Sequence, residues 1–131
     1  MAQEYQSGIC NIGESEIRYR RRVIGYGSGF VSLALYTMLA YFNFPLVFYA
    51  VLIIPVFISV HGLIQAKKRF CTSYAKSGKY NMSSEVGMTQ DVLNGAKRKR
   101  DARLANKLIA QSVRISLLIV AALTALSRLF N

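Results

Sequence analysis

The sequence is poor in the residues that build most catalytic and metal sites. It has one histidine, His61, two cysteines, Cys10 and Cys71, and six acidic residues, none of them inside an apolar run. The acids therefore form no paired-carboxylate site within those runs, and no nucleophile–base pair or His/Cys cluster stands out, so enzymatic activity is not expected. Two thiols permit at most one disulfide, which excludes a disulfide framework. A structural zinc wants four ligands and spacing such as C-x-x-C; neither is present, and no metal or other cofactor is expected. The first 17 residues lack an apolar stretch and carry no cation, so no cleavable signal peptide is expected and the first apolar segment should stay in the chain.

What the chain does have is grease and positive charge together. Seventeen Lys and Arg give a net charge of +11, yet 53% of the 131 residues are hydrophobic and mean hydropathy is positive. A basic protein that binds nucleic acid is normally less apolar than this. The combination points instead to a membrane, with the cations parked at anionic lipid headgroups, and no nucleic-acid partner is expected. The length suits one domain, and no internal repeat stands out.

Residues 23–42 form a run of 20 without charge, about what a helix needs to cross a ~30 Å hydrocarbon core. Asn43-Phe44-Pro45 then stops one helix and opens the next. Residues 46–65 are a second charge-free run of 20, so the connection is a tight antiparallel hairpin. Pro55 removes a backbone donor inside it and predicts a kink near Val51 or Leu52. In the polar stretch after it, residues 70–88 read as turns. Thr89 is a candidate cap for a helix starting at Gln90 with Asp91 in its first turn, and Asn11 or Ser15 for a short helix before the arginines. From Ala96 the pattern is one long helix. Arg103, Lys107, Gln111 and Arg114 make a polar stripe before residues 115–126 turn apolar. The expected fold is an all-α membrane protein: a polar segment (1–22), a transmembrane hairpin (23–66), a basic loop with an amphipathic helix (67–107), and a third transmembrane helix with a short tail (108–131).

Fifteen of the 17 cations fall on one side of this arrangement: four in residues 18–22, five between Lys67 and Lys79, and six between Lys97 and Lys107. The positive-inside rule then gives a cytoplasmic N-terminus, an external turn and an external C-terminus. Arg18, Arg20, Arg21, Arg22, Lys67, Lys68, Arg69, Lys97, Arg98, Lys99 and Arg100 are expected to act as headgroup and topology anchors.

Four smaller features carry candidate sites. Cys10 and Cys71 both lie near the basic boundary; they form a possible redox or half-metal pair, or two reduced thiols that help pack the N-terminal segment. His61 is intramembrane, where an ionisable group suggests a proton relay or a quinone, or an inter-helix hydrogen bond. Arg114 either pairs with Glu14 or Glu16 or snorkels to the headgroups. Gly25 and Gly29 have the G-x-x-x-G spacing that lets helix backbones approach, within the chain or with another subunit. Asn81-Met82-Ser83 fits a glycosylation sequon that would be silent on the cytoplasmic side.

Cys10-Asn11-Ile12-Gly13, Glu16-Ile17, Arg20 to Arg22 and Phe70-Cys71 resemble the corresponding motifs of a set of uncharacterised small bacterial membrane proteins. In these, a Cys-Asn-Ile-Gly start runs into Glu-Ile and an arginine run, and Phe-Cys follows a two-helix hairpin. The resemblance implies a bacterial inner membrane and one shared surface for the two cysteine segments. It implies no activity. It departs after Cys71, where this chain reads TSYAKSGKY in place of small residues and an aromatic. The expected role is a non-catalytic accessory or structural subunit of a larger membrane complex, with a redox- or metal-responsive protein (Cys10, Cys71) and a quinone-associated subunit (His61) as alternatives.

Overall fold

The computed structural model describes residues 4–130. The chain is mostly helical, and three of its helices are long and apolar enough to cross a membrane: α1 (Glu14–Tyr41), α2 (Leu46–Lys68) and α4 (Gly95–Phe130). Between α2 and α4 lie a short helix, α3 (Thr72–Ser77), and two two-residue strands, β1 (Lys79–Tyr80) and β2 (Gln90–Asp91), paired antiparallel.

Phe42 and Asn43 turn the chain, and Pro45 opens α2, so α1 and α2 form the expected hairpin. The first seven residues of α2, Leu46–Leu52, are a tighter 3₁₀ helix, and α-helical geometry begins at Ile53. The change falls where Pro55 deprives the Val51 carbonyl of its α-helical donor. Within α1 the backbone widens into a π-helix over Arg20–Gly27. Glycines ease this, and one of them is pressed by the neighbouring helix. A Cβ at Gly25 would stand 2.5 Å from Leu63 Cδ2, and one at Gly62 would stand 3.1 Å from the Gly25 nitrogen. The two backbones therefore approach closely at this crossing, and Ser59 Oγ donates to the Gly25 carbonyl at 2.7 Å. At Gly29 a Cβ would stand 3.1 Å from Ser59 Oγ.

The helices alternate in direction, which brings the basic ends of α1, α2 and α4 to one end of the molecule. Towards the other end, Leu39, Tyr49, Leu52, Val56 and Val120 form an apolar cluster. At the basic end Ile12, Ile17, Ala66 and Cys71 form a second, and Phe70, Ala75, Ala105 and Leu108 a third. Outward-facing side chains along the apolar runs, such as Phe30, Val47 and Leu118, are mostly exposed.

Three local expectations are corrected. Thr89 does not cap a helix: Gln90–Asp91 pair with Lys79–Tyr80 as a strand, and α4 starts at Gly95. Its cap is Asn94, whose Oδ1 accepts from the amides of Ala96 and Lys97 at 2.9 and 3.2 Å. Gly13, not Asn11 or Ser15, precedes α1. Residues 70–88 are not all turn, because α3 and β1 form there. The amphipathic and apolar parts after residue 95 are one helix of 36 residues, roughly 54 Å at 1.5 Å per residue. That exceeds a ~30 Å hydrocarbon core, and its basic residues are concentrated in its first turns.

Candidate functional site

Chemically distinctive side chains concentrate at the basic end, where the N-terminal segment is threaded into a polar cap. Asn11 makes the first connection. Its Nδ2 donates to the Cys71 carbonyl at 2.9 Å, and its Oδ1 accepts from the Cys71 amide at 2.6 Å. Its own amide donates to the Arg69 carbonyl, and its carbonyl accepts from the Asn81 amide at 2.9 Å. The Gly13 amide then donates to the Asn81 carbonyl at 2.8 Å. Gly13 leaves little room for a side chain here, since a Cβ would stand 3.3 Å from the Met82 backbone. Residues 10–13 and 69–71 thus lie side by side.

Glu16 is the centre of the cap. Only 1% of it is exposed. Its carboxylate accepts from the Gly87 amide at 2.8 Å, Tyr74 OH at 2.9 Å, Asn81 Nδ2 at 2.9 Å and Arg20 Nη2 at 3.1 Å. Four converging donors suit an ionised, acceptor-only carboxylate. Burial, and after it the bond to Glu16, push the Tyr74 hydroxyl up to about 12. Arg20 is correspondingly buried, its guanidinium 5.5 Å from the centre of the Tyr74 ring. This corrects its expected role as an exposed headgroup anchor, because the Glu16 carboxylate four residues earlier draws it inward. Asn81 is also buried, so the sequon is inaccessible in the folded chain.

A second buried carboxylate, Asp101 on α4, holds residues 5–8. It accepts from Tyr5 OH at 2.5 Å and the Gly8 amide at 2.7 Å, while Ser7 Oγ donates to the Lys97 carbonyl at 2.9 Å. Tyr5 stacks on Tyr80 with centroids 4.5 Å apart. Burial and the Asp101 contact raise its hydroxyl to about 12. Nothing in the apolar pattern pointed to Glu16 or Asp101 as buried. The Glu16–Arg20 spacing of four was the one available signal for the first.

His61 bridges three helices. Its Nδ1 lies 2.8 Å from Ser112 Oγ on α4 and its Nε2 lies 2.9 Å from Thr72 Oγ1 on α3, while its ring stacks on Phe57. Ser112 Oγ already donates to the Leu108 carbonyl. It is therefore placed to accept from His61 Nδ1–H, and both ring nitrogens have a hydroxyl partner.

The two cysteines are unbridged and their sulfurs have separate partners. Cys10 Sγ donates to the Glu4 carbonyl. Cys71 Sγ contacts Ser73 Oγ and caps α3 by accepting from the Tyr74 amide at 3.4 Å. Among the described residues no group of three or more His, Cys, Asp or Glu is placed to hold a metal. Arg18, Arg21, Arg22, Lys67, Lys68, Arg69, Lys97, Lys99 and Arg100 are exposed. Arg98 is held by the fold, its Nε donating to the Val92 carbonyl at 2.5 Å. Arg114 is exposed, and Glu16, one of its two expected partners, is taken by Arg20. The partner of Gly25 and Gly29 is α2 of the same chain.

No protein-family profile, curated protein or solved structure matches this chain.

Proposed function

We propose that the chain is a small non-catalytic integral membrane protein that serves as an accessory or structural subunit of a larger membrane complex. In this reading α1, α2 and the apolar part of α4 cross a bacterial inner membrane. The polar cap lies in the cytoplasm, and the turn at residues 42–45 and the end of α4 lie outside. The charge asymmetry supports this orientation.

The observation that carries the subunit reading is the exposure of large apolar side chains in the cap loop, outside the three helices long and apolar enough to cross a membrane. Val86, Met88 and Leu93 are exposed in the cap loop, Leu93 to 93%. Large apolar side chains exposed beside a basic helix suit a docking surface for another protein. The cap beneath is pinned by Glu16, Asp101 and Asn11, so the loop is displayed on a rigid base. In blue-native electrophoresis of mild-detergent extracts, the wild-type chain should migrate in a larger assembly, and Leu93→Glu should release it. Migration of the wild type only as a free small species contradicts the proposal.

A thiol-responsive role is the second reading, favoured by one observation: Cys10 is part-exposed and lines a cavity of about 490 Å³ with Lys67, Lys68 and Arg69. Under mild oxidant, Cys10→Ser should then lose a response that Cys71→Ser keeps. Equal behaviour of wild type and Cys10→Ser removes this reading.

A further inference from the structure

The basic ends of α1 and α2 leave a second cavity, of about 450 Å³, lined by Ile17, Arg21, Leu63, Lys67 and Arg69, with Glu14 in its wall. Its size falls within the roughly 300–1,000 Å³ typical of ligand sites. Three cations against one carboxylate leave surplus positive charge. None of the three makes an ion pair among the described residues, where the single salt bridge joins Arg20 and Glu16. The exposed lining is mainly polar; Ile17 is buried behind it, and Leu63 borders it at the level where the charge-free runs begin and end.

Arg69 gives the strongest sign that the cavity is built for a ligand. It ends α2 with φ 53° and ψ 40°, the left-handed conformation that glycine ordinarily supplies at a helix end. The fold uses its carbonyl, which accepts from the Asn11 amide, and any residue offers that group. Its side chain is exposed and makes no hydrogen bond within the described part of the chain. The left-handed turn itself closes α2, with the Phe70 amide donating to the Gln65 carbonyl at 3.0 Å; what packing leaves unexplained is an arginine in place of glycine there, on the wall shared by this cavity and the one beside Cys10.

We propose that this cavity binds the phosphodiester headgroup of an anionic glycerophospholipid. Arg21, Lys67 and Arg69 surround the phosphate, and the acyl chains leave past Leu63 along the apolar faces of α1 and α2. A free phosphate shares this chemistry. Glu14, however, opposes a second negative charge, so a monoanionic diester suits the cavity better than a phosphate dianion. Glu14 also accepts from a headgroup hydroxyl such as that of phosphatidylglycerol. The inference rests on the membrane-spanning part of the proposed function and not on the partner complex.

Native mass spectrometry of the full chain, released from detergent with added phosphatidylglycerol or phosphatidylcholine, tests it. The wild type should retain one phosphatidylglycerol in preference to phosphatidylcholine. Arg21→Gln, Lys67→Gln and Arg69→Gly should each weaken retention about fivefold, the size expected for one cation at a lipid surface. Lys76→Gln, which removes a charge from α3, should leave retention unchanged. Arg69→Gly also relieves the left-handed strain, so its melting temperature in lipid-free detergent should not fall, which separates lost binding from lost folding. Excess inorganic phosphate should not displace the lipid. Equal retention of both lipids, an equal effect of Lys76→Gln, or full displacement by phosphate overturns the lipid site. If the chain also proves soluble without detergent, the membrane reading falls with it; if it still needs detergent, the lipid site alone falls.

Discussion

Glu16 and Arg20 set the energetics of the polar cap at the scale of single residues. Removing one member of a buried ion pair leaves a charge without its partner and costs roughly 3–5 kcal/mol. Glu16→Gln should therefore open the cap, exposing the buried Cys71 thiol to maleimide in detergent. The double variant Glu16→Gln/Arg20→Met should be less labile than the sum of the two single changes. Purely additive losses would mean that the pair does not act as a unit. The two tyrosines give a pH signature. Their folded hydroxyls lie near 12, above the ordinary value of 10.0. The protonated form thus favours the folded cap: its contribution is complete below pH 10 and is lost as pH rises from about 10 towards 12. In an ultraviolet titration, Tyr5→Phe and Tyr74→Phe should each remove amplitude from the late-ionising phase. Unchanged late amplitude in both would refute the buried contacts. Neither contact was legible in the sequence, because Tyr5 meets Asp101 across 96 positions and Tyr74 meets Glu16 across 58. Arg20 was hidden in another way. In a run of arginines every member looks like a surface anchor, and because Glu14 stands four residues before Arg18 as Glu16 does before Arg20, the spacing alone did not single this one out.

At the scale of elements, the two apolar runs of the hairpin were plain, since a charge-free stretch of 20 residues has few alternatives. The start of α4 was not. Thr89 followed by Gln90 and Asp91 is a reasonable local helix start, but pairing with Lys79–Tyr80 takes those residues into a strand. Asn94 caps instead. Asn94→Ala should cost about 1 kcal/mol, whereas Thr89→Ala should be close to neutral in thermal unfolding. The reverse order would restore the sequence-based boundary. The α1–α2 crossing makes a second prediction. A methyl at Gly62 meets the Gly25 backbone nitrogen at 3.1 Å and Ile24 Cγ2 at 2.6 Å, whereas one at Gly29 meets only the Ser59 hydroxyl. Gly62→Ala should lower stability by roughly 1–3 kcal/mol, the range for overpacking, and Gly29→Ala by less. Equal melting temperatures for Gly62→Ala and wild type would show that the helices do not pack this closely. The π-helical segment beside this crossing had no sequence signal beyond its glycines.

For the whole molecule, three antiparallel rods carry a structured polar cap at one end and a tight turn at the other. Sequence showed the rods and the uneven charge; it did not show that the N-terminal segment is woven into the cap, because that depends on buried amides and carboxylates from distant positions. The proposed orientation follows from the asymmetry and is what the functional and lipid-binding proposals share. Site-directed labelling with a membrane-impermeant maleimide tests it most directly, using Phe44→Cys in the turn and Lys76→Cys on α3 in a Cys10→Ser/Cys71→Ser background. In intact cells the reagent should modify the cysteine at position 44, and should reach position 76 only after the membrane is permeabilised. Labelling at position 76 from outside intact cells, or recovery of the chain in the soluble fraction, would contradict the account.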